Sequence, residues 1–168
     1  MKTLYLVGGA MGVGKTTTCT LLRDRLDKCA FLDGDWCWNM HPFTVNDETR
    51  ALVMDNICHM LNNFVHCSEF EHVVFCWVMH DQSIIEEILQ KVDTENCRVI
   101  VVSLICTEDA LRQRLIKDVN AGVRTPDVIA RAVQRLKLYR LVDSHKIDVS
   151  SISAEDAAEH IRALAAGI

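Results

Sequence analysis

The chain has 168 residues, 49% of them hydrophobic and 24% charged, with a formal net charge of −5. That size predicts one domain, spanning 1–168, around a single large core. The acidic balance argues against a nucleic-acid polymer as partner, because such surfaces ordinarily carry a basic stripe.

Neither a membrane-spanning segment nor a signal peptide is expected. No apolar run approaches the roughly 20 residues that span a bilayer. Leu4 to Val7 is too short for the apolar core of a signal peptide and runs directly into glycines. The eight cysteines, among them Cys19, Cys76 and Cys106, form no C-x-x-C or zinc-type pairing, and several sit inside apolar runs. They read as reduced, buried thiols, and the expected compartment is the cytoplasm.

In chain order, the apolar strand Leu4 to Val7 leads into Gly8-Gly9-Ala10-Met11-Gly12-Val13-Gly14-Lys15-Thr16. From Gly9 this is G-x-x-x-x-G-K-[ST], the Walker A phosphate loop. Glycines let the backbone turn tightly and aim successive N–H groups at phosphate oxygens. The helix behind the loop adds free N–H groups and a partial positive charge. Gly9, Ala10, Met11, Gly12, Val13, Gly14, Lys15, Thr16 and Thr17 are therefore assigned to nucleotide binding. Lys15 is expected to reach the β- and γ-phosphates, and the Thr16 hydroxyl to ligate magnesium. A glycine-rich turn that binds nothing is the alternative, and the strand–loop–helix context weighs against it.

Cys19, Leu22 and Leu26 mark the buried face of the first helix. Cys29 to Leu32 is a short strand ending in Asp33-Gly34-Asp35-Trp36, followed by an aperiodic, aromatic loop through Asn46. Residues 48–67 keep helical apolar spacing. Val73 to Met79 and Arg98 to Cys106 are continuously apolar strands, as in a parallel sheet covered on both faces. Between them, Ser83 with Glu86 is read as a capping box that starts a helix. Thr107 caps a helix carrying Leu111 and Leu115, a further helix is predicted over 127–142, and Lys146 to Val149 is a fifth strand. Ser153 and Asp156 start a last helix that ends near Gly167. Five alternations of strand and helix predict an α/β parallel sheet with helices on both faces.

Ligands in such sheets bind beyond the carboxyl ends of the strands. That rule selects the phosphate loop, Asp33 and Asp35, His80 and Asp81, and Thr107. In an extended segment Asp33 and Asp35 point to the same side. One could then hold magnesium while the other accepts a proton from an attacking hydroxyl. Against this stands a strand cap at Asp33 and a solvated turn residue at Asp35. His80 and Asp81 are candidates for substrate contact, with a polar strand end and a helix-start residue as the plain readings. Trp77-Val78-Met79 supplies no acid where a Walker B residue ordinarily sits, so magnesium falls to Thr16 and the aspartate pair.

Residues of about 107–126 read as a short helical lid bearing Arg112, Arg114 and Arg124. A phosphoryl-transfer site must exclude water, and lid arginines can neutralise charge as the group moves. Arg112 and Arg114 are two apart on a helix and face different ways, with Arg114 the one expected to face the site. Arg124, after Gly122, could swing in from the loop. Trp36, Trp38, His41 and Phe43 could line a pocket for a ring-bearing acceptor or form the underside of a flap.

These residues resemble the P-loop small-molecule and nucleotide kinases, a group that includes shikimate, gluconate and adenylylsulfate kinases, chloramphenicol phosphotransferase and tunicamycin-resistance-type proteins. GGAMGVGKTTT is similar to their phosphate loop, FLDGDW to the end of their second strand, ICTEDALRQRL to their lid passage and KIDVSSISAEDAAEHI to their closing strand and helix. The resemblance implies a three-layer α/β/α P-loop fold with sheet order 2-3-1-4-5, ATP as donor, Mg2+, and Arg114 over the nucleotide. WCWNMHPF matches no one member's substrate segment, so the acceptor stays open between a small molecule and a nucleotide. The expected activity is an ATP-dependent kinase with Lys15, Asp35, Arg114 and Arg124 catalytic, Thr16 and Asp33 on the metal, and Asp35, Trp36, Trp38, His80 and Asp81 toward the acceptor. A nucleotide-dependent switch without an acceptor is the alternative. GTP as donor stays open beside ATP, and monomer beside homodimer.

Overall fold

A computed structural model describes residues 1–167 of the chain. Five strands form one sheet in the order β2-β3-β1-β4-β5. They are β1 Lys2–Gly9, β2 Cys29–Asp33, β3 His72–Trp77, β4 Cys97–Ile105 and β5 His145–Asp148, and every neighbouring pair is parallel. The helices are α1 Lys15–Arg25, α2 Asp47–His66, α3 Gln82–Lys91, α4 Glu108–Asn120, α5 Val128–Leu136 and α6 Ala154–Ala166. Two short 3-10 helices, Gly34–Trp38 and Lys137–Arg140, follow β2 and α5.

The continuously apolar strands have a direct cause. Successive side chains alternate between sheet faces, and here both faces are covered. Leu4 and Leu6 of β1 join one core with Ile57 and Leu61 of α2 and Ile85 and Ile88 of α3. Tyr5 and Val7 join the other, with Cys19 and Leu22 of α1 and Ala157 and Ile161 of α6. β3 divides the same way, Val73 and Phe75 against Val74 and Cys76. All eight cysteines are free thiols. Among the described residues no helix is long and apolar enough to cross a membrane.

Local bonding shifts several predicted boundaries. α2 begins at a capping box made by Asn46 with Thr49. α3 is capped by Asp81, whose carboxylate accepts the Ser83 N–H at 2.9 Å, so the predicted Ser83–Glu86 box does not form. The helix predicted over 127–142 is α5 followed by a 3-10 turn. Side chains three apart eclipse in a 3-10 helix, which keeps Tyr139 below Leu136, both buried. After Asp33 the chain does not stay extended: the Asp33 carboxylate accepts the Asp35 N–H at 3.0 Å and winds 34–38 into a 3-10 turn.

Candidate active site

The carboxyl ends of β1, β2, β3 and β4 open onto one edge of the sheet, and the polar residues gather there. β1 delivers the chain into the loop 10–14, whose last residue, Gly14, sits in the left-handed region at φ 105° and begins α1. A side chain is strained in that conformation. Gly12, also left-handed, packs so tightly on α4 that a Cβ would lie 2.4 Å from Leu115 Cδ2. The loop is thus fixed by local conformation and from behind by α4.

Two side chains converge on one backbone oxygen. The Gly9 carbonyl accepts Lys15 Nζ at 2.9 Å and the Tyr139 hydroxyl at 2.8 Å, and Lys15 also donates to the Ala10 carbonyl at 3.1 Å. Burial lowers the Lys15 pKa from its ordinary value, opposed by the nearby Asp35 and Asp33 carboxylates. Tyr139 is fully buried. Its role was invisible in sequence, where it is one aromatic residue 130 positions from the glycine it holds.

Asp33 is buried at the end of β2 and bridges two elements. One carboxylate oxygen accepts the Thr16 hydroxyl at 2.7 Å and the other the Asp35 amide. The strand-cap reading and the proximity to Thr16 therefore hold together in one side chain. Asp35 reaches the same neighbourhood from a 3-10 turn rather than from an extended strand, which corrects the same-side argument for the pair. Its pKa is raised, first by desolvation and then by Asp33, against the pull of Lys15, Arg124 and the nearby Trp77. Because Asp35 is open to solvent at one side, that desolvation is partial.

The Thr16 hydroxyl beside the Asp33 carboxylate is a hard-oxygen pair. That donor set suits magnesium, which keeps several waters and takes few protein ligands beside phosphate. Among the described residues no cluster of three or more His, Cys, Asp and Glu side chains forms a separate metal site.

Arg114 is half-buried and donates to the carbonyls of Val13, at 3.1 Å, and Val149, tying the phosphate loop to the segment after β5. With Gly14, Thr17 and Ile152 it borders a cavity of about 240 Å³ beside the loop. Arg112 turns outward and pairs with Glu108. α4 does not stand off as a free lid, since Leu111 and Leu115 are buried in the core. Arg124 lies beyond its end, bonded to Asp118 at 3.1 Å and close enough to Asp35 to lower its pKa.

The acceptor-side residues are less closely joined. Asp81 is committed to capping α3, also accepting the Ser83 hydroxyl at 2.7 Å. His80 is half-buried, and its Nδ1 is buried with no hydrogen-bond partner among the described residues. Desolvation, then the Arg135 cation, lowers its pKa, which favours the neutral ring. Trp36 is 56% exposed and packs edge-on against Phe31, while Trp38 packs on Phe43 over the α2–α3 core. Trp38 thus packs on the core side of the 3-10 turn, as the underside of a flap would. Trp77, near Asp35, and Arg135, near His80, were not singled out from sequence, because neither belongs to a local motif.

A strand running into a glycine loop, with the loop lysine and threonine set against a carboxylate of a neighbouring strand, defines the P-loop class of α/β nucleotide-binding domains. Within that class, residues 6–137 match the family model described as an AAA domain, and the chain belongs to that family. Its fold is that of the tunicamycin resistance protein of Deinococcus radiodurans, with TM-score 0.72 and 16% identity over 98% of this chain and 96% of that one. It is similarly that of a gluconokinase from Sinorhizobium meliloti 1021, with TM-score 0.70 and 17% identity over 98% and 94%. A shikimate kinase from Acinetobacter baumannii, solved in complex with shikimate, superposes at TM-score 0.65 with 25% identity over 99% and 94%. No curated protein sequence matches the chain.

Proposed function

We propose that this chain is an ATP-dependent kinase that phosphorylates a hydroxyl of a small-molecule or nucleotide acceptor. The observation that carries the reading is the run Thr16–Asp33–Asp35 beside Lys15, which sets a metal-type oxygen pair next to a second carboxylate with a raised pKa. A hydrolytic switch needs no such second carboxylate; a transferase needs a base.

In this reading the loop amides of 10–16 and Lys15 hold the donor phosphates, and the cavity bordered by Arg114, Thr17 and Ile152 takes the rest of the nucleotide. Thr16 and Asp33 hold Mg2+, which supplies charge neutralisation on the phosphates. Asp35 accepts the proton of the acceptor hydroxyl as its oxygen bonds to phosphorus and the bond to the leaving ADP oxygen breaks. Arg124, already within the field of Asp35, balances charge at the transferred group. His80 offers a neutral ring nitrogen to the acceptor, and Trp36 an exposed aromatic face.

The test is Asp35→Asn. Acceptor phosphorylation is expected to fall by about 10²–10⁴, the range for loss of a general base, while ATP affinity stays within about twofold. Acceptors are found by screening hydroxylated metabolites and nucleotides for stimulated ADP release, with GTP tried as donor beside ATP. Turnover unchanged in Asp35→Asn removes the base assignment, and no stimulation by any acceptor favours the nucleotide-dependent switch.

A further inference from the structure

The nucleotide-side cavity is not the largest in the molecule. A second, of about 430 Å³, opens between the end of β4, the start of α4, α5 and the end of β5. It shares no lining residue with the first. Its floor is apolar: Ile105, Cys106, Val133 and Leu136. Its rim carries Lys137 and Arg140. A cavity of several hundred Å³ with an apolar floor and a few convergent polar groups has the make-up of a small-molecule site.

The charges around it are unequal in their commitments. Glu108 is held by Arg112 through two hydrogen bonds, at 2.9 and 2.7 Å, and Asp148 accepts both the amide and the hydroxyl of Ser150. Elsewhere on this side of the fold Arg124 pairs with Asp118 and Arg131 with Asp127. Lys137 and Arg140 form no ion pair among the described residues. They are first and last in one 3-10 turn, where side chains three apart eclipse, so both stand on the same face above the apolar floor. Glu108 is thus neutralised by Arg112, Asp148 is an ionised carboxylate bonded to Ser150, and the two cations are unpaired among the described residues.

We propose that this groove is a second ligand site, separate from the nucleotide site, for a small amphipathic anion: an apolar or aromatic body on the floor with an acidic group held by Lys137 and Arg140. The same turn carries Tyr139, whose hydroxyl holds the Gly9 carbonyl at the root of the phosphate loop. A ligand clamped by the residues on either side of Tyr139 therefore bears on the element that fixes the loop, which makes this an effector site. The proposal does not rest on the kinase assignment, since it is read by binding.

The probe is 8-anilinonaphthalene-1-sulfonate, an aromatic body with one sulfonate, titrated by fluorescence into the full chain held at saturating Mg-ATP. One saturable site is expected. Lys137→Gln with Arg140→Gln, both exposed positions, weakens it by about tenfold, the loss of roughly one charge-assisted contact. Amide NMR shifts on adding the probe cluster in 105–108 and 133–140, a readout independent of the variant. Unchanged affinity in the double variant, or shifts confined to 10–18 and 149–157, overturns the proposal. So does strictly competitive displacement, with the apparent probe Kd climbing in proportion to ATP without reaching a plateau, because coupling between two separate sites saturates and a shared nucleotide site does not.

Discussion

The two halves of this site are built by different means. On the phosphate side, side-chain bonds brace the loop: Gly9 accepts from Lys15 and Tyr139, Arg114 bridges Val13 and Val149, and Thr16 bonds Asp33. On the acceptor side Trp36 is 56% exposed, Phe43 is 68% exposed, and His80 Nδ1 has no partner among the described residues. The first half is a framework held rigid by backbone bonds. The second is a set of side chains on a 3-10 turn and a loop, with few bonds to fix them. Under the proposed kinase function, phosphate geometry would be the same for every donor, whereas an acceptor surface would have to suit one molecule. The difference in construction fits that proposed difference in task.

Four perturbations test this contrast, in decreasing order of expected effect. Lys15→Ala removes the one cation seated in the loop, and phosphoryl transfer should drop by about 10³ or more, the scale of losing a preorganised charge at the transferred group. Single-turnover assays at saturating ATP check it. A residual rate within tenfold of the parent would break the claim that this half is a preorganised framework.

Tyr139→Phe deletes one buried hydroxyl whose partner keeps its Lys15 bond. The expected cost is about 1 kcal/mol, or about 2–4 °C in Tm for a domain of this size. The ATP KM should rise while the acceptor KM stays put. An equal rise in both would mean that the halves are coupled through the 3-10 turn.

Asp81→Ala should behave as a lost helix cap, costing about 1 kcal/mol of stability by thermal melt and leaving turnover intact. A fall in kcat instead would return Asp81 to the acceptor site.

The smallest effect comes from protonation. Burial and Asp33 raise the Asp35 pKa, so the folded protein binds that proton more tightly than the unfolded chain does. Stability contributed by the protonated form is complete below the ordinary carboxylate pKa and is lost as pH rises through the raised one. Asp35→Asn should therefore melt slightly higher at pH 7, on the order of 1 °C, with the difference vanishing near pH 3. In the parent, the acid limb of kcat should lie above the ordinary carboxylate range. His80, with a lowered pKa, should add no limb near neutrality.

Much of the fold was legible because its signals are local or periodic. The Walker A spacing marks the loop, two-sided burial marks β1, β3 and β4 as parallel strands, and the order β2-β3-β1-β4-β5 agrees with the expectation from the family resemblance. Asp33 and Thr16 could be paired from sequence, since each closes or follows a strand at the same sheet edge. The conformation joining Asp33 to Asp35 was not legible: one side-chain cap turns an extended segment into a 3-10 turn, and that bond has no periodic signature. Trp38 read as either pocket or flap, and its packing against Phe43 and the α2–α3 core had no signature in the sequence.

By itself, then, the sequence determined the class of domain, the phosphate loop and which strands are buried on both faces, because glycine spacing and apolar period act over a few residues. Tertiary structure alone decided that Tyr139 holds Gly9, that Arg114 ties the loop to the segment after β5, and that Lys137 and Arg140 share a groove. Those contacts join residues 35 to 130 positions apart or depend on how a turn is wound. Packing sets such pairings, and no short-range pattern in the chain encodes them.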